Sequence, residues 1–333
     1  MRIFSGIQPT GRKHLGNYIG AIRGYLDGQE RGDPAIFCIV DLHATSVAYD
    51  PEALPGYVLD TAAMLMAAGL DPSRCILFRQ SDLYEHTELT WLLCSVTAYG
   101  DLLRMHQFKD KSARERELVR TSLFLYPVLQ AADILAYKAD QVPVGDDQRQ
   151  HLELAREIAR RFNATYGELL VEPEHVIPKV GARIMDLQDP TAKMSTTYGS
   201  EAGLIYIDDE PEAIVKKVKR AQTDSGTDIA RGPGKEGIAN LIEILSAVRG
   251  VAPEEIEREF AGQGYGDFKQ AVGEEVAELL APARERYREL RSDEAGIESA
   301  LREGAERARA IAGPTLAEVR QAMGVAPAVG ARV

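Results

Sequence analysis

Arg2-Ile3-Phe4-Ser5-Gly6-Ile7-Gln8-Pro9-Thr10-Gly11-Arg12-Lys13-His14-Leu15-Gly16-Asn17 joins a strand to a helix. The short apolar run up to Ile7 is closed by Pro9 and Gly11, the residues that most often punctuate secondary structure. Beyond Asn17, Ile19, Ile22 and Leu26 recur at helical spacing. A helix start of this kind offers unpaired N–H groups and a positive dipole end to anions. Gly16 has no Cβ, so a flat base can approach the backbone. His14 and Asn17 add side-chain donors. Two familiar phosphate motifs do not fit. A Walker loop has Lys after its second glycine, and Arg12 follows Gly11 here; the G-x-G-x-x-G fingerprint has no counterpart in this loop. The remaining plain reading is a long polar turn shaped by Pro and Gly.

Outward from this segment, further strands are expected at Ala35–Val40, Cys75–Arg79 and Gln141–Val144. Helices are expected around Val58–Met66, Leu89–Val96 and His151–Phe162. Strand–helix alternation predicts an α/β fold, a doubly wound parallel sheet of Rossmann type, whose ligands sit beyond the C-terminal strand ends. After Gly199 the strand signals stop. Pro211–Ala221, Gly237–Val248, Pro253–Phe260, Phe268–Leu280, Pro282–Leu290 and Pro314–Met323 read as successive helices, and Ala326–Val333 as a frayed tail. The expected division is a catalytic domain over 1–195 and an α-helical domain over 196–333.

The 333 residues are 45% hydrophobic and 27% charged, ordinary for a globular protein. No basic-then-apolar leader and no apolar run of membrane-spanning length is present, so a soluble, cytoplasmic protein is expected. Cys38, Cys75 and Cys94 are too scattered for a metal cluster or disulfide framework and read as plain thiols. A net charge of −12 means that any nucleic-acid partner must meet a local basic patch rather than the whole surface.

His14-Leu15-Gly16-Asn17 followed by Lys193-Met194-Ser195-Thr196-Thr197 resembles the paired signatures of the class I aminoacyl-tRNA synthetases, specifically their bacterial tryptophan branch. Supporting stretches run along nearly the whole chain. They include Phe37-Cys38-Ile39-Val40-Asp41-Leu42-His43-Ala44, Met105-His106-Gln107-Phe108-Lys109-Asp110-Lys111-Ser112, Tyr126-Pro127-Val128-Leu129-Gln130-Ala131-Ala132-Asp133 and Val142-Pro143-Val144-Gly145-Asp146-Asp147-Gln148. The second signature departs from the family. Thr196 replaces its second lysine, Thr197 its final serine, and Ala192 a frequent preceding lysine.

The resemblance implies that tryptophan is activated by ATP, with Mg²⁺ on the phosphates, and is passed to the 2′-hydroxyl at the end of tRNA(Trp) by a homodimer. It requires no protein nucleophile; positioning and charge stabilisation carry the reaction. Phosphate roles fall to Thr10, Asn17, Lys193 and His14, with Lys109 and Lys111 as further cations. Gln8, Pro9, Gly16, Gly145, Asp146, Asp147, Ile184, Met194, Ser195, Thr196 and Thr197 complete the nucleotide site, Gln8 also lying near the substrate carboxylate. Asp133 is implied as acceptor for the indole N–H, since that donor is costly to bury unpaired. Phe4, Val142 and Val144 are implied to line the indole slot. Tyr126 and Gln148 match positions at the substrate ammonium, and His43 lies at a strand end. Gln130 stands where methionine is usual, so its amide needs a partner. Three alternatives stay open at this stage: a tyrosine enzyme, a non-catalytic sensor of tryptophan or ATP, and a nucleotidyltransferase.

Overall fold

In the computed structural model the residues described are 1–10, 12–106, 119–143, 148–176, 184–196 and 199–325. Five parallel strands, β1 (Ile3–Ile7), β2 (Ala35–Ile39), β3 (Ile76–Arg79), β4 (Gln141–Pro143) and β5 (Glu174–Val176), form one sheet in the order β3-β2-β1-β4-β5. Ile3 pairs with both Ala35 and Gln141. The strand order therefore reverses at β1, and the crevice between the β1 and β4 ends is the topological switch point where such sheets bind ligands. The four strands expected from sequence are present; β5 is an addition.

Alternate strand residues feed two apolar cores because side chains alternate across a strand. Phe4, Ile36, Cys38, Phe78 and Val142 point to one face, Ala35, Phe37, Ile39 and Leu77 to the other. All five residues of β2 are buried, as expected of a central strand covered on both sides. The helices are α1 (Leu15–Asn17), α2 (Arg23–Glu30), α3 (Asp41–Ala44), α4 (Leu54–Ala67), α5 (Glu85–Cys94), α6 (Tyr99–Leu103), α7 (Thr121–Leu135) and α8 (Arg149–Tyr166). After these come α9 (Pro211–Lys219), α10 (Glu236–Arg249), α11 (Pro253–Glu259), α12 (Tyr265–Arg291) and α13 (Glu294–Ala322). A π-helical turn, Tyr18–Ile22, links α1 to α2, a distortion frequent at functional sites. The core holding Phe37 and Leu77 runs on without a break through Ile205, Leu241 and Phe268 to Leu301.

The helical half differs from its sequence reading at two prolines and over residues 294–313, which the sequence reading left without an element. Pro282 and Pro314 do not open helices; each lies inside a long one, of 27 and 29 residues. A proline forfeits one N–H bond in a helix interior, a loss that extensive packing of both helices against the cores offsets.

Helix α13 returns to the sheet. Ala305, Ala308, Ala312, Leu316 and Val319 join the core of Phe78 and Ile36, and Arg307 donates to the carbonyls of Pro72 and Cys75. At the crossing a Cβ on Gly304 would stand 1.8 Å from the Leu77 carbonyl oxygen. Helix and strand backbones touch there, which covers the exposed edge that β3 would otherwise present. Gly304→Ala must push the helix off the sheet and is expected to cost about 3 kcal/mol, the upper end of overpacking penalties. Urea unfolding measures this, and an unchanged midpoint and slope would contradict the close approach.

Candidate active site

The loop after β1 is folded onto itself. The Gln8 carbonyl accepts from the Thr10 N–H at 3.0 Å and from Lys13 Nζ at 2.7 Å. Lys13 is buried, and desolvation, opposed by Asp60, holds its pKa down at about 8. His14 enters α1 in an extended conformation, and its backbone N–H donates to Asn17 Oδ1 at 3.1 Å. Asn17 thus spends its oxygen on the loop, leaving its amide N–H groups as what it can offer an anion. His14 is buried, and burial first, then the charges of Lys13 and Lys193, lower its pKa to about 4. The imidazole is therefore neutral at pH 7, with its Nδ1 unpartnered.

The second loop is a hairpin set beside the first. Met185 pairs antiparallel with Lys193, and the Met194 N–H donates to the Ile184 carbonyl at 3.0 Å. Inside the bend lies the buried carboxylate of Asp186, which accepts from the N–H groups of Gln188 and Asp189. Gly203 is obligatory against it, because a Cβ there would lie 2.0 Å from Asp186 Oδ1. Lys193 itself is exposed. The chain beyond this hairpin is tied to the first loop by the Leu15 N–H to the Ile205 carbonyl (2.8 Å) and the Ile207 N–H to the Lys13 carbonyl (3.0 Å). Arg12 adds bonds to Asp208 and Asp209 and lies 4.0 Å above the Tyr206 ring. At Gly16 a Cβ would meet His14 Nδ1 at 3.0 Å and Met194 Cβ at 3.6 Å. The missing side chain thus makes room first for the imidazole and the second loop.

A cavity of about 240 Å³ opens at the switch point between β1 and β4. Phe4, Val40, Ile134 and Val142 give it apolar walls; Gln8, His43, Gln130, Asp133 and Gln148 supply polar groups. Asp133, on α7, is 1% exposed. Its Oδ1 accepts from Gln80 Nε2 (2.7 Å) and pairs with His86 Nδ1 (2.6 Å); its Oδ2 pairs with His43 Nε2 at 2.9 Å. His86 is in turn bonded through Nε2 to the Tyr137 hydroxyl at 2.8 Å. Burial alone would raise the Asp133 pKa, but the bonds and charges of His43 and His86 outweigh it and hold the carboxylate at about 2. A carboxylate oxygen has two lone-pair sites. Oδ1 is filled, and Oδ2 keeps one acceptor position beside the cavity.

The structure thus gathers Phe4, Gln8, His43, Gln130, Asp133, Val142 and Gln148 around one cavity. Gln130 has Gln148 Oε1 as a long partner at 3.5 Å. Tyr126 lines the adjoining cavity instead, its hydroxyl 2.7 Å from His151 Nε2. Gly16, Met194 and His14 meet where the two loops touch. Lys109, Lys111, Val144, Gly145, Asp146, Asp147 and Thr197 lie outside the described residues. Of the basic run on α9, Lys217 turns inward to Asp209 at 2.7 Å, while Lys216, Lys219 and Arg220 stay exposed. Sequence reasoning passed over Gln80, His86 and Tyr137, which fix Asp133, and Arg12 and Lys13, which shape the first loop. A signal for His86 existed, since it shares the buried face of α5 with Leu89 and Leu93. Among the described residues no cluster of three or more His, Cys, Asp or Glu is placed to hold a metal, and no helix is long and apolar enough to cross a membrane.

A parallel sheet with its cavity at the switch point, a helix-start loop after β1 and a lysine hairpin beside that loop make up a class I aminoacyl-tRNA synthetase site. Residues 1–281 match the family of tRNA synthetases class I (W and Y), and the chain belongs to that family. Three relatives within it are tryptophan enzymes. The tryptophan–tRNA ligase of Wolinella succinogenes is 48% identical, covering 97% of this chain and 98% of its own. Tryptophan–tRNA ligase 1 of Streptomyces coelicolor is 46% identical over 99% of both. The tryptophanyl-tRNA synthetase of Campylobacter jejuni, solved with ADP and tryptophan, superposes with a TM-score of 0.85 at 34% identity, covering 98% of this chain and 100% of that one.

Proposed function

We infer that this chain is a tryptophan–tRNA ligase, which joins tryptophan to AMP at the expense of ATP and then transfers it to tRNA(Trp). The observation that carries this reading is the single open lone pair on Asp133 Oδ2 beside an apolar cavity. An indole presents one flat apolar body and one N–H donor, and this site matches both. His43, Gln80 and His86 hold the carboxylate ionised and oriented. Phe4 and Val142 would flank the ring, the resemblance adding Val144 to the slot. Tyr126 and Gln148 would face the ammonium, and Gln8 the carboxylate.

ATP enters as its Mg²⁺ complex. Thr10, Asn17 and Lys193 would take its phosphates, with Lys111 in reserve. The adenosine would lie along Pro9, Gly16, Ile184 and Met194, and the resemblance adds Ser195, Thr196 and Thr197 to the nucleotide site and Gly145, Asp146 and Asp147 to the ribose. His14, neutral at working pH, would serve as a hydrogen-bonding wall rather than as a charge. The tryptophan carboxylate oxygen attacks the α-phosphorus, and pyrophosphate leaves; Lys193 stabilises the charge that develops. We assign this chemistry to residues 1–195 and tRNA binding to 196–333, where Lys216 and Lys219 on α9 and Arg220 at its end are exposed cations. A cytoplasmic homodimer completes the reading. The dimeric part of that reading is supported by Trp91, Tyr84 and Tyr99, which α5, α6 and their approach leave 77%, 53% and 69% exposed.

The test is ATP–pyrophosphate exchange with each standard amino acid, followed by charging of tRNA(Trp). Tryptophan alone is expected to support exchange. Exchange driven by tyrosine, or charging of another tRNA, would overturn the reading.

A further inference from the structure

Lys13 is the cation of the first loop that the chemistry assigned above leaves without a task. It is 6% exposed, whereas Gln8 and Thr10 on the same loop are exposed. Its ammonium donates to the Gln8 carbonyl at 2.7 Å and, among the described residues, makes no contact ion pair. Asp60 of α4, whose charge favours the ammonium, is committed to Arg291 at 2.8 Å and to the Tyr287 hydroxyl at 3.1 Å, both on α12. A buried cation held by a neutral acceptor is a poor stabilising device. An apolar side chain of similar length would fill the space without the cost of desolvating a charge. The charge therefore answers to something other than stability.

The Gln8 carbonyl shows what that is. It accepts from the Thr10 N–H at 3.0 Å as well as from Lys13, so both of its lone pairs are filled. The buried donor draws this oxygen toward the loop interior and leaves the side chains of Gln8 and Thr10 on the exposed side. Turned outward, the same oxygen would set a partial negative charge against the two anions that the loop is assigned to receive.

We propose that Lys13 is a positioning residue for the activation step, its buried ammonium pinning the Gln8 carbonyl inward and so holding Gln8 and Thr10 in place for the substrate carboxylate and the ATP phosphates. This rests on the ligase reading given above. Lys13 touches neither substrate and acts through the backbone of Gln8. A neutral amine can also donate to a carbonyl, but a charged donor bonds roughly twice as strongly. The pinning is therefore strongest while Lys13 keeps its proton.

The experiment compares the unaltered full-length protein with Lys13→Met and Lys13→Gln. At pH 7, kcat/KM for ATP in tryptophan-dependent pyrophosphate exchange is expected to fall about tenfold in Lys13→Met, the scale of one hydrogen bond to a charged group. The urea midpoint of that variant is expected to stay level or rise, because an apolar chain replaces a buried charge. Lys13→Gln, which has a donor but no charge, is expected to lose exchange alongside it. Desolvation lowers the Lys13 pKa to about 8, so the ammonium prevails at pH 7 and is lost as pH rises through about 8. The ratio of wild-type to Lys13→Met exchange is thus expected to shrink from about tenfold at pH 7 to about threefold at pH ~10. The charged groups around Lys13 are Asp60, Tyr287 and Arg291, His14 and Lys193, and Arg12 with Asp208 and Asp209. All are common to both proteins, so their titrations cancel in the ratio. Undiminished exchange at pH 7 in either variant, a ratio that does not move with pH, or a Lys13→Met protein that is destabilised or unfolded would each overturn the proposal. Failure of the unaltered protein to exchange with tryptophan would instead sink the ligase reading on which the proposal stands.

Discussion

Asp133→Ala is expected to lower tryptophan-dependent exchange, measured as kcat/KM, by at least about 10⁴-fold. A site built around one buried hydrogen bond loses discrimination on this scale when its partner is gone. The same change strands three donors, those of His43, Gln80 and His86, so the fold should also lose about 3–5 kcal/mol, as when one member of a buried ionic network is deleted. Asp133→Asn separates the two effects: it keeps one acceptor oxygen and the shape, yet it removes the charge. Tryptophan binding is expected to weaken strongly in both variants, and selectivity against phenylalanine to collapse. Unchanged selectivity would end the indole assignment. The pH dependence has a definite sign. The folded carboxylate is held at about 2, below the ordinary aspartate value of 3.8. Its contribution to stability, about 2 kcal/mol, is therefore complete above pH ~4 and is lost as pH falls through about 2. In an acid titration of stability, Asp133→Asn should lack this component.

Lys193→Ala is expected to reduce exchange by about 10²–10³-fold, the usual loss when one preorganised transition-state partner is removed. The magnitude follows from how few cations remain. Thr196 and Ala192 stand where the resemblance to the family's second signature implies lysine. Arg12 is spent on Asp208 and Asp209, and Lys13 on the Gln8 carbonyl. His14, with its pKa lowered by burial and by Lys13 and Lys193 to about 4, carries no charge at pH 7. Lys193 is thus the principal positive group on the described part of the hairpin. Tryptophan affinity without ATP should be unaffected. The converse variant, Thr196→Lys, should raise the exchange rate by supplying a second cation. Undiminished exchange in Lys193→Ala would remove the role, whatever Thr196→Lys does.

Much of the nucleotide half was legible in the sequence because its signals are local. β1, β2 and β3 are short runs rich in Ile, Phe and Leu, and α8 carries Leu152, Ala155, Ile158 and Phe162 on one face. β5 escaped because Glu174-His175-Val176 has neither length nor alternation. Pro282 and Pro314 were read as helix starts because proline is favoured in a first turn; only the packing shows that the helices continue through them. The first part of α13 gave only a weak apolar stripe, since after Ile297 and Leu301 its buried face is made of Gly304, Ala305, Ala308 and Ala312. Asp133 was found through resemblance, but its partners were not. Gln80 and His86 lie 53 and 47 residues before it, and no local pattern announces a hydrogen bond over such a distance.

The contact of α13 with β3 has a consequence for how the chain is made. Arg309 donates to the Asp82 carbonyl across 227 residues of sequence, and Gly304 lies on Leu77. During synthesis, at roughly 5–20 residues per second, β3 emerges tens of seconds at most before its cover, yet always before it. The nascent nucleotide half therefore leaves the ribosome with a bare strand edge and an open patch around Phe78. It stays a substrate for chaperones, and for pairing with other nascent chains, until α13 has been translated and has docked.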